Sequence, residues 1–236
     1  PSKTYWNVNN DQNPPYYGHG GENPELYNLD SVAYESVMVG LFSWFYPGDG
    51  SKDYQFPGQT LVELGVGFSR DGFSWYRPTR GAASNAFIPA SNQAGDWNAF
   101  NTQSVGGGFL VVGDELWFYF SARSLQKPLD GVFSTGLAKL RRDGFYSMDA
   151  GATEGTLQTR TVNFTGNHLF VNADTSGGQL LVEALDESGN VLPGFSKTNC
   201  NPLRVNKTLQ EVTWANGNLA TLAGRNVKFK FYLTNG

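Results

Sequence analysis

The chain has 236 residues, which is enough for one large domain or two smaller ones with a substantial buried core. Charged residues make up 16%, whereas aromatic residues reach 14% and glycine is abundant. A net charge of −4 with no run of Lys or Arg argues against nucleic acid as a partner, because such binding needs a clustered basic surface. No apolar segment reaches roughly 18 residues, so no membrane partner is predicted. The composition favours an all-β protein built of short strands and tight turns.

Metal and thiol chemistry have little support in this sequence. Cys200 is the single cysteine, which excludes an internal disulfide, and it is predicted to be a small buried residue rather than a reactive thiol. No set of histidines and carboxylates has the spacing of metal ligands, so neither a metal nor another cofactor is predicted. Calcium bound by the loop aspartates Asp49, Asp53 and Asp96 is the alternative.

The first 27 residues are rich in Asn, Pro, Tyr and Gly and show no periodicity. Residues 1–27 are predicted to form an extended N-terminal arm that lies over another surface, because dense aromatic residues seldom stay solvated. His19 is a candidate for chemistry because imidazole titrates near neutral pH, with loop packing as the alternative. The start at Pro1 rather than Met favours processing or truncation.

A short segment occurs twice in the first two thirds of the chain. Residues 35–40 (Glu-Ser-Val-Met-Val-Gly) return at 103–108 (Gln-Ser-Val-Gly-Gly-Gly), with Gln103 in the place of Glu35. An aromatic run and then an Arg-Asp-Gly-Phe turn follow each copy, at 70–73 and at 142–145. The pattern predicts two copies of a unit of about 70 residues.

Each copy is predicted to be a small sheet. Apolar and β-branched runs predict strands at 37–46, 60–69 and 73–77, and then at 108–112, 115–122 and 135–141. The Asp-Gly pairs within the two Arg-Asp-Gly-Phe turns are strong hairpin signals. Because about four strands with a recurring turn are typical of a propeller blade, residues 28–150 are predicted to form two β-propeller blades.

The pattern changes after Gly151. Strands are predicted at 157–164, 168–173, 179–185, 210–214 and 227–233, with no further blade signature. Residues 151–236 are therefore predicted to form a C-terminal β-sandwich, in which His168 packs or hydrogen-bonds. The sequence stops at 234–236 in a hairpin turn without a return strand, which predicts a further strand beyond it.

Several segments together carry a family resemblance: residues 28–36 (Asn-Leu-Asp-Ser-Val-Ala-Tyr-Glu-Ser), both Arg-Asp-Gly-Phe turns, 136–145, and 168–173 (His-Leu-Phe-Val-Asn-Ala). They resemble the C-terminal half of bacterial glycoside-hydrolase-like proteins, which are similar to the invertase and arabinanase group. The resemblance covers residues 22–236. It implies a partial five-bladed β-propeller followed by a β-sandwich, with the remaining blades upstream of Pro1.

The resemblance also implies catalytic residues. In that group three carboxylates surround the sugar, and the acid/base Glu heads a blade strand, a place that Glu35 matches, with Asp30 as a nearby second carboxylate. At the inner end of a strand beside Tyr34, Glu35 would be partly desolvated and so suited to hold a proton. Cleavage needs a further carboxylate across the glycosidic bond, which the resemblance places upstream. A structural or a ligand-binding role for Glu35 is the alternative, because Gln103 stands at the equivalent position.

The resemblance thus implies a secreted, carbohydrate-active, glycoside hydrolase-like protein. It would hydrolyse or bind glycosidic substrates in a cleft completed by an upstream half or a second polypeptide. Arg123 would orient sugar hydroxyls together with Asp30, and Trp97 would offer a stacking face or else anchor its loop. The predicted substrate-binding residues are Tyr34, Trp97, Gln103 and Arg123.

Two further predictions concern N-glycosylation and an alternative function. The Asn-X-Thr sequons at Asn163 and Asn206 predict N-glycosylation if a secretory pathway makes the protein. The alternative function is a non-catalytic, extracellular sugar-binding or structural protein on a hydrolase-like fold. It predicts glycan binding that does not depend on the Glu35 carboxylate.

Overall fold

The computed structural model describes residues 25–46, 61–77, 86–91, 93, 95–124 and 132–236. The chain is all-β, with 52% strand and 4% helix, and it includes a curled half-barrel sheet. The all-β prediction is therefore confirmed, whereas the propeller and sandwich arrangements stay predictions. Most of the predicted arm, with His19, and the loop residues Asp49 and Asp53 lie outside the described residues.

The described residues form short strands joined by turns and two 3₁₀ helices, Lys197–Asn199 and Leu219–Leu222. No helix among them is long and apolar enough to cross a membrane. The chain divides into two compact units, unit 1 (Pro1–Leu140) and unit 2 (Arg141–Gly236), while the predicted domain boundaries after 27 and 150 stay predictions. The strands are β1 Glu25–Tyr34, β2 Val37–Tyr46, β3 Leu61–Ser69, β4 Trp75–Tyr76, β5 Thr102–Gln103, β6 Leu110–Val112, β7 Glu115–Arg123, β8 Phe133–Arg141, β9 Gly155–Gln158, β10 Leu169–Asp174, β11 Gln179–Leu185, β12 Asn206–Val212 and β13 Lys228–Thr234.

The first sheet of unit 1 is an antiparallel meander in the order β1-β2-β3-β4. Strand β2 has the predicted bounds, and β3 is buried along almost its whole length. Continuous apolar runs are typical of strands that are covered on both faces. One face of this sheet packs into a cluster that includes Phe42, Trp44, Leu61, Ala99 and Phe100.

Two glycines give aromatic rings room to lie flat on this sheet. A Cβ atom at Gly65 would lie 2.4 Å from Cζ of Phe42 and 2.7 Å from Nε1 of Trp44. At Gly40 it would lie 2.3 Å from Cζ3 of Trp75. Because interiors are close-packed, both positions are reserved for glycine by the volume of the neighbouring rings.

The second sheet of unit 1 is built around β7. Strands β5 and β6 pair with opposite ends of β7, and β8 also pairs with it, as predicted for 135–141. The segment before β5 joins the two sheets, since the Val62 N–H donates to the Phe100 carbonyl at 2.9 Å and the Arg123 N–H donates to the Asn101 carbonyl at 3.2 Å. Backbone hydrogen bonds therefore connect the two sheets of unit 1.

The two Arg-Asp-Gly-Phe turns have different backbones although their sequences are identical. Positive φ falls on Gly72 (76°) in the first turn and on Asp143 (58°) in the second. In the first turn, the backbone N–H groups of Ser74 and then Phe73 hydrogen-bond the Asp71 carboxylate and lower its pKa to about 2. The two copies of this sequence therefore adopt different turn conformations.

The strands of unit 2 form a two-stranded sheet, β10-β12, and a three-stranded sheet, β11-β13-β9, which isolated bridges join into one row. The paired strands β10 and β12 are connected to β11, β13 and β9 through residues 199–203, where Cys200 bridges to Trp214 and Leu203 bridges to Leu180. The row therefore begins with β10 and ends with β9. Its core is a single cluster of buried apolar side chains that includes Val182, Trp214, Leu222 and Phe229.

Cys200 lies in this core, 4% exposed, so the prediction of a small buried residue is confirmed. Its Sγ accepts a hydrogen bond from the backbone N–H of Val182 at 3.3 Å. Burial raises the pKa of the Cys200 thiol, which keeps it in the unreactive protonated form.

Candidate functional site

The loop that carries Trp97 is closed on itself by hydrogen bonds. The Phe100 N–H donates to the Ser91 carbonyl at 2.8 Å, and the Ser91 N–H donates to the Asn98 carbonyl at 3.2 Å. The Ser91 hydroxyl also donates to the Asp96 carboxylate. These bonds fix residues 95–98 as the tip of a compact loop, which we call the Trp97 loop (residues 91–100).

Trp97 anchors this loop and also faces solvent. Its ring lies 5.9 Å from that of Phe120 on β7, and a Cβ atom at Gly136 on β8 would meet it at 2.7 Å. The Trp97 residue is nevertheless 43% exposed. One part of the indole is therefore held on the sheet while another part forms a fixed apolar surface beside the polar groups of Asp96 and Asn98.

The same loop ends in a strained residue. Phe100 has φ of 65° and is 1% exposed. A bulky residue in the left-handed region costs on the order of 1–3 kcal/mol and persists only where packing imposes it. Here the packing is the cluster with Phe42, Trp44 and Leu61, so the loop conformation is set by the core of unit 1.

Tyr34 belongs to an aromatic cluster that continues toward β7. Its ring meets that of Phe109 edge-on at 5.0 Å, and Phe109 lies 5.0 Å from Phe118. Phe87 meets Phe118 at 5.3 Å. Tyr34 is thus placed by packing at the end of β1, and it is half-buried.

Asp30 and Gln103 lie near one another through the segment that follows β5. The Asp30 Oδ2 atom accepts hydrogen bonds from the Val105 N–H at 3.0 Å and from the Asn28 side chain at 3.1 Å. The Gln103 carbonyl accepts a bond from the Ser121 hydroxyl at 2.7 Å. The Asp30 carboxylate therefore ties β1 to residues 103–105.

Arg123 ends β7 close to this place. It lies beside Asn101, and Gln103 pairs with Ser121 two residues before it. Buried polar atoms with no hydrogen-bond partner among the described residues include Nε of Arg123, Nδ2 of Asn101 and Oδ1 of Asn28. Side chains alternate along β7, so Arg123 points away from the face on which Phe120 meets Trp97.

Glu35 lies in the turn between β1 and β2 rather than in a strand. It has φ of 50° and is exposed. Tyr34 pairs with Val37 across this tight turn. The desolvation that the sequence predicted for the Glu35 carboxylate is therefore absent, because a two-residue hairpin turn projects into solvent.

A buried carboxylate that the sequence interpretation missed is Glu63. It lies opposite Trp44 in the pairing of β2 with β3 and is 2% exposed. Its Oε1 atom accepts a hydrogen bond from the Ala90 N–H at 3.1 Å. The guanidinium of Arg77, also buried, lies 4.5 Å above the Trp44 ring. A single carboxylate within the apolar run 61–68 is the sequence feature that could have identified this buried acid.

Both sequon asparagines are exposed and hydrogen-bonded through Nδ2. Asn163 donates to the Gly224 carbonyl at 3.0 Å and to the Asn226 side chain at 3.2 Å. Asn206 donates to the Asp174 carboxylate at 2.9 Å. Glycosylation at these two sites stays a prediction.

Neither similarity to known proteins nor a group of metal-ligating side chains among the described residues assigns a function to this chain. No family model, curated protein sequence or solved structure matches this chain. Within the part of the chain that the structure describes, no group of three or more His, Cys, Asp and Glu side chains could hold a metal ion.

Proposed function

We propose that this chain is an extracellular carbohydrate-binding protein with a glycoside hydrolase-like, all-β scaffold, and that the Trp97 loop binds the sugar. The observation that carries the proposal is the indole of Trp97, which is 43% exposed and held in place by β7, β8 and its own closed loop. A fixed aromatic face suits the apolar face of a sugar ring at little entropic cost.

Polar groups around the indole support a sugar rather than a purely apolar ligand. Asp96 and Asn98 flank Trp97 in the loop, and Gln93 is exposed next to them. Carboxylate and amide side chains both accept hydrogen bonds, and the amides also donate them. Sugar hydroxyls donate and accept in the same way, so the loop offers one stacking surface with polar groups at its rim.

Two observations favour binding over hydrolysis. Glu35 is exposed in a turn, and the Asp30 carboxylate is engaged by Val105 and Asn28. A general acid needs a desolvated environment, and hydrolysis by two carboxylates needs them to face each other across the bond. The propeller arrangement, a completing polypeptide and the extracellular location are parts of the same proposal.

The test is binding to immobilised arabinan, fructan and cellulose, compared among matched variants. Trp97→Ala should weaken binding about tenfold or more, because the stacking face is lost. Phe73→Ala removes another aromatic side chain of unit 1, 88% exposed, and should leave binding unchanged. Glu35→Gln should also leave it unchanged.

Thermal unfolding of each variant separates loss of binding from loss of fold. If Trp97→Ala and Phe73→Ala bind glycans equally well, the Trp97 loop is not the site. If the protein hydrolyses a glycan and Glu35→Gln abolishes turnover, the protein is a hydrolase instead.

A further inference from the structure

A cavity of about 580 Å³ lies inside unit 2. It is lined by β9 and β10, the two end strands of the row, and by apolar residues of β11 and β13 such as Leu180 and Phe231. Its volume falls in the range of about 300–1,000 Å³ that is usual for small-molecule sites. The cavity is therefore large enough for a small-molecule ligand.

Residues 142–150 form one wall of this cavity, and they are held at both ends. The Asn172 side chain donates to the Arg142 carbonyl at 2.5 Å. At the other end Ala150 and Gly236 exchange backbone hydrogen bonds of 2.8 and 3.1 Å. We call residues 142–150 the strap; Met148 within it is 69% exposed and lines the cavity.

The polar groups at the rim satisfy one another. Arg141 donates to the side chains of Asn172 and Asn206 and to the Ala173 carbonyl. Asp174 accepts bonds from the Ser176 hydroxyl and backbone N–H, which hold the pKa of Asp174 below its usual range, and from Asn206. These groups therefore need no bond from a ligand.

The remaining lining decides the class of ligand. Leu157, Val171, Phe231, Leu233 and Met148 supply apolar surface from three strands and the strap. Asp143 and Asp149 are exposed on the strap and would repel an anion. An apolar interior with satisfied polar groups and acidic residues at the rim fits an uncharged molecule.

We propose that this cavity is a second binding site, independent of the Trp97 loop, and that it takes a neutral, largely apolar small molecule. The ligand would enter between β9 and β10 and lie beneath the strap. Leu157, which is 45% exposed on β9, would contact it. Binding would follow from removal of apolar surface from water.

The experiment titrates the full chain with N-phenyl-1-naphthylamine, a neutral apolar dye whose fluorescence rises in apolar surroundings. We expect saturable binding of one dye per chain. Leu157→Glu should weaken it about tenfold or more, because it brings a charge into the apolar lining. Leu209→Glu makes the same change on β12, at a residue that is 68% exposed and is not part of the lining, and should leave affinity within about twofold of the parent.

Met148→Glu is the second variant, and it changes the strap without altering a strand. Circular dichroism checks that each variant is folded. If Leu157→Glu does not fold, Met148→Glu still tests the proposal, and it should weaken dye binding. Absence of saturable binding in the parent protein would overturn the proposal. Equal weakening by Leu209→Glu and by the two lining variants would also overturn it, because the dye would then bind the surface without preference.

Discussion

Arg123 and Arg141 end the paired strands β7 and β8, but the hydrogen bonding of their guanidinium groups differs. Arg123 ends β7 in unit 1, and its Nε is buried and has no hydrogen-bond partner among the residues that the structure describes. Arg141 ends β8 and donates from all three guanidinium nitrogens to oxygens of unit 2. The position at the end of a strand therefore does not decide how an arginine is hydrogen-bonded. The oxygens that the strand end meets decide it.

The largest effect is expected from Arg141→Met. This change leaves the oxygens of Asn172, Asn206 and Ala173 without their donor, so the free energy of unfolding should fall by about 1–2 kcal/mol. Urea unfolding measures the change. Arg160→Met, at an exposed arginine of the same unit, is the control and should be close to neutral. Equal stability of both variants would show that the Arg141 bonds contribute nothing net.

A smaller effect of opposite sign is expected from Arg123→Met. The change keeps the aliphatic part of the side chain and removes a buried donor, Nε, that has no partner in the described part of the chain, so the free energy of unfolding should rise by about 1 kcal/mol. Arg70→Met, at an exposed arginine, is the matched control. A loss of stability in Arg123→Met would mean that its guanidinium is satisfied in solution, and the contrast with Arg141 would disappear.

The third prediction concerns pH and another satisfied polar group of unit 2. Burial, followed by the 2.5 Å hydrogen bond that Tyr232 donates to Glu183, raises the pKa of Tyr232 from 10.0 to about 12. Because the pKa in the folded state is the higher one, this stabilisation is complete below pH 10 and is lost as the pH rises toward 12. Denaturant unfolding across that range should show the loss in the parent and not in Tyr232→Phe. An identical pH dependence in both proteins would exclude Tyr232 as its cause.

Much of the strand content could be predicted because it depends on local pattern. The apolar runs gave β2 and β11 with their observed bounds. Strand β1 was not predicted, since Asn28 and Asp30 have low strand propensity and the strand forms through its pairing with β2. Strand β12 begins earlier than predicted, because its pairing with β10 starts at Asn206.

The site was harder to predict because it depends on which faces meet. Trp97 was predicted either to offer a stacking face or to anchor its loop, and its indole packs against Phe120 while the residue is 43% exposed. Trp97 and Arg123 were both predicted to bind substrate, and the sequence does not show on which face each lies. Along β7 the side chains alternate, so Phe120, which packs against Trp97, and Arg123 lie on opposite faces. Glu63 shows the reverse case: a carboxylate in an apolar run lies inside unit 1, while Glu35 at the head of such a run is exposed.

The reciprocal hydrogen bonds between Ala150 and Gly236 bring two points far apart in sequence to one place in unit 2. A linker of a few residues could therefore join them, and new ends could be opened at an exposed turn such as that around Gly189. The same closeness makes residues 151–235 suited to insertion into a loop of a host protein, since the host would need to open only a narrow gap to receive them.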